Sequence, residues 1–182
     1  MVDYYDFRKG KYKKYARTAF YFTREEGIDL LISWVVLTGA YTLSQTSSYI
    51  RFMFNYGTYS WFILSIILNV LWMSAIVAAI TFVSHELAHK FTAQKYGLEA
   101  HYKANKQGLL LGLLISLGGF LFLSPGAVLI SGSYMGEERN GKISMAGPLT
   151  NIAIAIVFFP FTRIFFLYLQ PYNPILLVLK GI

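Results

Sequence analysis

The sequence predicts an all-α polytopic membrane protein of about three transmembrane helices, supplemented by a re-entrant glycine-rich segment and a short β-hairpin. Three observations carry that prediction. Hydrophobic residues make up 55% of the 182 residues and aromatics 18%, with a mean hydropathy of +0.48, a balance typical of membrane chains. Charged residues are only 14% and clumped, so several windows meet or approach the roughly 20 apolar residues a helix needs to cross the hydrocarbon core. The basic residues flank those windows. A net charge of +7 therefore reads as an orientation signal, since Lys and Arg beside spans mark the cytoplasmic side, and nucleic acid is excluded as a partner. With no cysteine in the chain, disulfides and thiolate metal sites are excluded too.

Residues 1–26 read as a basic cytoplasmic tail. Arg8, Lys9, Lys11, Lys13, Lys14 and Arg17 fall in one tract without the apolar core of a cleavable signal, and suit contact with anionic headgroups. Thr23 to Glu26 spell a helix start, with Thr23 as N-cap and Glu26 as its partner in a capping box. The first span follows over residues 28–44, and residues 45–57 are expected to break it on the outer side. A second span opens at Tyr59 and Trp61, an aromatic belt, and continues past Val83 to about Gly97, a C-terminal cap. Lys90 and Lys95 are expected at the cytoplasmic headgroups. On uninterrupted helical spacing Ser74 and Ala78 share a face with His85, while Ala75 and Ala79 lie below Glu86; small residues there admit another backbone.

Residues 98–107 read as a polar cytoplasmic loop. Residues 108–124 are apolar but punctuated by Gly112, Gly118 and Gly119 and stopped by Pro125-Gly126. That pattern suits a segment that enters and leaves on one side, its backbone covered by protein or lining a cavity. The β-prone run 127–131 and the Asn140-Gly141 pair suggest the hairpin. The third span opens at residues 146–151, with Pro148 in its first turn, and runs to about Leu169 past Pro160 and Arg163. A last apolar run, 175–179, is too short to span, so the membrane-embedded core, residues 27–182, reads as incomplete at its C-terminal end.

The chemistry concentrates in His85-Glu86-Leu87-Ala88-His89, at the end of the second span. Positions four apart stack on one helix face, so two imidazoles can share one Zn²⁺ and Glu86 leans towards the same site as a general base. Polar groups at a helix end can also simply mark the water interface, but ionisable residues beside apolar spans are functional candidates by default. The longer metzincin pattern fails, because Thr92 and Lys95 stand where its Gly and third His belong. His101, in the predicted loop, reads as a solvated histidine.

With the glycine-punctuated Leu117-Gly118-Gly119 to Pro125-Gly126 stretch and the run Asn140 to Asn151, which includes Gly147-Pro148-Leu149-Thr150-Asn151, this motif resembles the site-2 protease family of intramembrane zinc metalloproteases in its compact archaeal-type form. The likeness covers about residues 60–160. It implies a site-2 protease core in a cell membrane, multi-pass with a cytoplasmic N-terminus, and transmembrane protein substrates cut near the cytosolic face. It also implies that His85 and His89 bind zinc, that Glu86 activates water, and that Asn151 holds the substrate or the oxyanion. Family members complete the metal site with an Asp in an L-D-G motif of a later helix. This chain has no Asp after Asp29, and Glu99, Glu137 and Glu138 are its remaining downstream carboxylates among the polar segments. The expectation is therefore a protease scaffold that is metal-poor or inactive as given.

The reaction expected is metal-assisted peptide hydrolysis: Glu86 takes a proton from water and passes it to the leaving amine. A substrate helix has to unwind first, and pairing with the edge of residues 127–131 would hold it extended. Two rivals come from other classes. A non-catalytic membrane scaffold or metal-binding relative would suit the missing ligand and the small-residue face; a zinc transporter would leave Glu86 and the Gly-Pro-x-x-Asn element unexplained. Oligomeric state is not legible.

Overall fold

This computed structural model describes residues 2–6, 11–15, 20–57, 61–122, 124–131 and 136–169. The elements run β1 (Val2–Asp6), β2 (Lys11–Tyr15), α1 (Arg24–Tyr56), α2 (Trp61–Ala78), a π-helical turn (Ala79–Val83), α3 (Ser84–Lys95), β3 (Glu99–Ala104), α4 (Lys106–Ser116), β4 (Gly126–Ser131) and α5 (Glu137–Leu169). Among the described residues three stretches are long and apolar enough to cross a membrane: Arg24–Tyr56, Trp61–Lys95 and Glu137–Phe161. Their outward faces carry bare aromatic and aliphatic side chains, such as Trp61, Phe62, Ile156 and Phe161, as lipid contact demands. The protein is a mostly helical, polytopic membrane protein, as its composition predicts. The N-terminal segment read as a plain tail contains an antiparallel pair, β1 with β2, in which Tyr4 lies opposite Lys13.

The capping box that starts α1 is present: Thr23 Oγ1 accepts from Glu26 N at 3.2 Å, and Glu26 Oε2 accepts from Thr23 N at 3.4 Å. The predicted break after Ser44 is not. The helix continues to Tyr56 and ends on Gly57, whose φ of 61° is the left-handed conformation glycine favours. Polarity does not stop it because the hydroxyls are satisfied by their own helix. Thr42 donates to Thr38 O and Thr46 to Thr42 O, at 2.8 and 2.7 Å, which is how Ser and Thr are accommodated within an apolar helix.

The second span runs from Trp61 to Lys95 as expected, but not as one uniform helix. The π-helical turn inserts an extra residue per turn ahead of the histidines. A face drawn at α-helical spacing through Ser74 and Ala78 is therefore displaced by the time it reaches His85. Upstream of the turn, Trp34 Nε1 of α1 donates to Ala75 O at 2.9 Å. Lys90 is not at the headgroups; it is 1% exposed and paired with Glu26, whereas Lys95 is exposed.

The predicted loop at 98–107 is instead a strand. β3 pairs antiparallel with β4, Ala100 opposite Ile130 and Tyr102 opposite Val128. Ala100 and Tyr102 turn inward and His101 outward, and Ala93, Leu98, Ala100 and Ile143 form a small core beneath the sheet. The hairpin expected around Asn140-Gly141 does not form. Strand 126–131 takes its partner from upstream, and Asn140 and Gly141 lie within α5. Glu137 and Glu138 in the first turn of α5 favour a helix start through the backbone dipole. Pro148 is accordingly inside this helix, as is Pro160, rather than at its opening.

Residues 105–125 go out and come back. Asn105 caps α4 by accepting from Gly108 N at 3.1 Å, and the helix spans 11 residues, about 16 Å at 1.5 Å per residue and half of a ~30 Å hydrocarbon core. The chain turns at residues 117–119, and Asn105 N donates to Pro125 O at 2.9 Å, so entry and exit touch. Gly119, with φ of 88°, packs against α1; a Cβ there would lie 2.9 Å from Ser47 Oγ. The last predicted run, 175–179, lies outside the described residues.

Candidate metal centre

Stacking on α3 places His85 and His89 with ring centroids 4.8 Å apart and their Nε2 atoms 3.1 Å apart. α3 lies along α5, and three α5 residues at four-residue intervals meet the two rings. The Ile143 carbonyl is 2.7 Å from His89 Nδ1, and Asn151 Nδ2 is 3.1 Å from His85 Nδ1. Gly147 lies between them. A Cβ on Gly147 would strike His89 Nε2 and come within 2.6 Å of His85 Nε2, so only glycine leaves the space in front of the paired nitrogens open. One atom is left over: Asn151 Oδ1 is buried without a hydrogen-bond partner.

Glu86, the next residue after His85, is 9% exposed. Tyr102 stands across from this part of α3, its ring edge-on to Phe82 at 5.8 Å. Its hydroxyl is 2.9 Å from both Ser33 Oγ and Pro125 O. Burial pushes the Tyr102 phenol up to about 12; the Ser33 bond opposes the shift, and the Glu86 and Asp29 carboxylates add to it. Tyr102 thus stays a proton donor, tying β3 to the mouth of the returning segment and to α1.

Two nitrogens each about 2.0–2.1 Å from one ion are about 3.3 Å apart at the tetrahedral angle, close to the 3.1 Å between the histidine Nε2 atoms. The donor type, the separation and the open space at Gly147 therefore fit Zn²⁺ as two of its ligands. Among the described residues no group of three or more His, Cys, Asp or Glu is placed to complete such a site. His101 is exposed on the outer face of β3, opposite Leu129, and Glu137 and Glu138 are exposed on the first turn of α5. The two histidines meet as their spacing predicts, and Asn151, which the family resemblance implies, lies against His85. The sequence offers Gly147 only as part of the Gly-Pro-x-x-Asn element, and nothing in it points to Tyr102. The one signal for the Ile143 carbonyl is its four-residue spacing with Gly147 and Asn151.

No family model and no solved structure matches the chain significantly. It is similar to a Methanocaldococcus jannaschii protein named "Putative zinc metalloprotease MJ0611", 39% identical over 147 residues that cover 80% of this chain and 66% of that protein. The chain therefore spans about two thirds of the length of this relative. This likeness is consistent with a compact archaeal, site-2 protease-like protein.

Proposed function

We propose that the protein is an intramembrane zinc metalloprotease that hydrolyses peptide bonds of transmembrane substrate helices near the cytosolic face. The observation that carries this reading is the pair of imidazoles with Nε2 atoms 3.1 Å apart, one residue from a buried carboxylate. When bound, a zinc ion supplies a Lewis acid that polarises a carbonyl and acidifies water. His85 and His89 would hold it, with His89 oriented through its Nδ1 by the Ile143 carbonyl. Glu86 is the general base, accepting a proton from the attacking water and returning it to the leaving amine. The carbonyls of a substrate helix are occupied by its own hydrogen bonds, so a segment must be extended before attack. Among the described residues β4 has β3 as its strand neighbour on one side, and an unwound substrate strand added to its other edge would be held by main-chain bonds.

The name of the archaeal relative supports protease chemistry, and three apolar helices support a membrane site. The absence of a three-ligand cluster among the described residues favours the rival reading, a metal-binding or scaffold relative that holds helices without cutting them. Zinc stoichiometry together with cleavage of a model transmembrane helix in proteoliposomes separates the two. The protease reading requires one zinc per chain and cleavage that Glu86→Gln abolishes; zinc binding with no cleavage in the wild type supports the rival.

A further inference from the structure

We propose that Asn151 is a positioning residue whose side-chain oxygen accepts the Nδ1 proton of His85 and so turns the Nε2 lone pair of His85 towards the metal. The inference rests on the reading of His85 and His89 as metal ligands. It differs from the role the family likeness implies, a contact to the substrate or the oxyanion.

A neutral imidazole carries one proton, and a ring nitrogen binds a metal only through a lone pair. His89 is settled by its neighbour: the Ile143 carbonyl, 2.7 Å from Nδ1, can only accept, so the proton is on Nδ1 and the lone pair on Nε2. His85 faces an amide instead of a carbonyl. With the amide nitrogen towards it, Asn151 donates to Nδ1 at 3.1 Å, the His85 proton is driven to Nε2, and it points at His89 Nε2 3.1 Å away. That arrangement spends the His85 ligand atom on a hydrogen bond and leaves Asn151 Oδ1 buried without a partner.

Turning the amide over exchanges nitrogen and oxygen while every other atom stays in place. Oδ1 then takes the 3.1 Å position against His85 Nδ1 and holds the proton there, while Nδ2 moves to the position that has no partner; what the flip changes is which His85 nitrogen keeps its lone pair. Both Nε2 lone pairs now converge on the space that Gly147 keeps open. The Gly147 carbonyl also lies towards the His85 ring and, like the Ile143 carbonyl, keeps a second lone pair beyond its helix bond; retained affinity in Asn151→Leu would mean that it, and not Asn151, holds the proton. Each histidine would thus be aimed by an α5 oxygen, a backbone one for His89 and a side-chain one for His85. Such outer contacts fix ring orientation and raise the basicity of the metal-binding nitrogen.

The test compares wild type, Asn151→Asp, Asn151→Leu and His85→Ala as purified full chains, with Zn²⁺ affinity read by competition against a chromophoric chelator. Co²⁺ absorption reports the ligand field, and thermal unfolding in detergent controls for folding. Asp keeps the acceptor oxygen and removes the donor; Leu removes both. Expected are a roughly ten- to hundred-fold weaker affinity for Asn151→Leu, retained affinity for Asn151→Asp with a Co²⁺ spectrum matching wild type, and loss of binding for His85→Ala. Undiminished affinity in Asn151→Leu would overturn the proposal, as would Asn151→Asp binding as weakly as Asn151→Leu or giving a changed Co²⁺ spectrum. In those cases wild-type binding lost by His85→Ala leaves the metal-centre reading standing. Failure of the wild type to bind Zn²⁺ sinks that reading and this one together.

Discussion

Lys90 Nζ is bonded to Glu26 Oε2 where both side chains are 1% exposed. The ammonium also lies 5.5, 5.2 and 4.7 Å from the ring centroids of Phe20, Tyr21 and Phe22, within the range of cation–π attraction. The carboxylate's other oxygen accepts from Tyr102 N at 2.9 Å. One buried anion therefore joins the start of α1, the residue after His89, and the middle of β3.

Breaking that pair leaves an uncompensated charge away from water, which typically costs about 3–5 kcal/mol. Glu26→Gln and Lys90→Met are each expected to destabilise by that order. The double variant is expected to lose clearly less than the sum of the two. Reversible unfolding in mixed micelles for all four proteins gives the coupling, and strictly additive costs would refute it.

Gly147→Ala separates the site from the fold. Alanine favours a helix over glycine by about 1 kcal/mol, and the atoms its methyl would displace are the tips of two side chains that can swing aside. Unfolding stability is expected to hold or rise while zinc stoichiometry falls towards zero. A variant that still binds zinc like wild type would show that the space in front of the imidazoles is not where the ion sits.

Alkaline pH acts through Tyr102. An unfolded tyrosine ionises near 10, and the folded one is pushed up to about 12, so folding favours the neutral phenol. Its contribution is complete below pH 10 and declines as pH rises from 10 towards 12. Tyr102→Phe is expected to be less stable at pH 8 but to lose less stability between pH 9 and 11. Parallel pH profiles for the two proteins would exclude Tyr102 as the source.

Topology can be read by labelling, since the chain has no native cysteine. Single cysteines from Lys103→Cys, at the entry to the out-and-back segment, and Glu138→Cys, beyond its exit, are expected to react with a membrane-impermeant maleimide from the same side. Labelling from opposite sides would mean that residues 105–125 cross. His101→Ala, on the outer face of the sheet, is expected to leave zinc affinity unchanged.

How much of this was legible follows from where each interaction closes. The capping box at Thr23 and the pairing of His85 with His89 each complete within one helical turn, so spacing alone predicts them. The end of α1 was misjudged because Thr46 and Ser47 look like loop residues, yet their hydroxyls return to carbonyls of the same helix. β3 was missed because only Ala100 and Tyr102 carry its inward face, too faint an alternation beside Glu99, His101 and Lys103. Asn140-Gly141 signals a turn only when strands flank it, and here the acidic first turn of α5 prevails. The burial of Lys90 and the space made by Gly147 depend on segments far apart in the chain, which no local pattern reports.

The π-helical turn divides one continuous rod between two masters. Upstream, α2 answers to lipid and to α1; downstream, α3 answers to α5 and the sheet. One inserted residue shifts angular phase by about 100°, so the two halves hold independent bearings although the backbone never stops. Substitutions that retune the outer surface of α2 for a different bilayer can accumulate without rotating the chelating pair. Removing a single residue from Ala79–Val83 would swing that pair off Gly147.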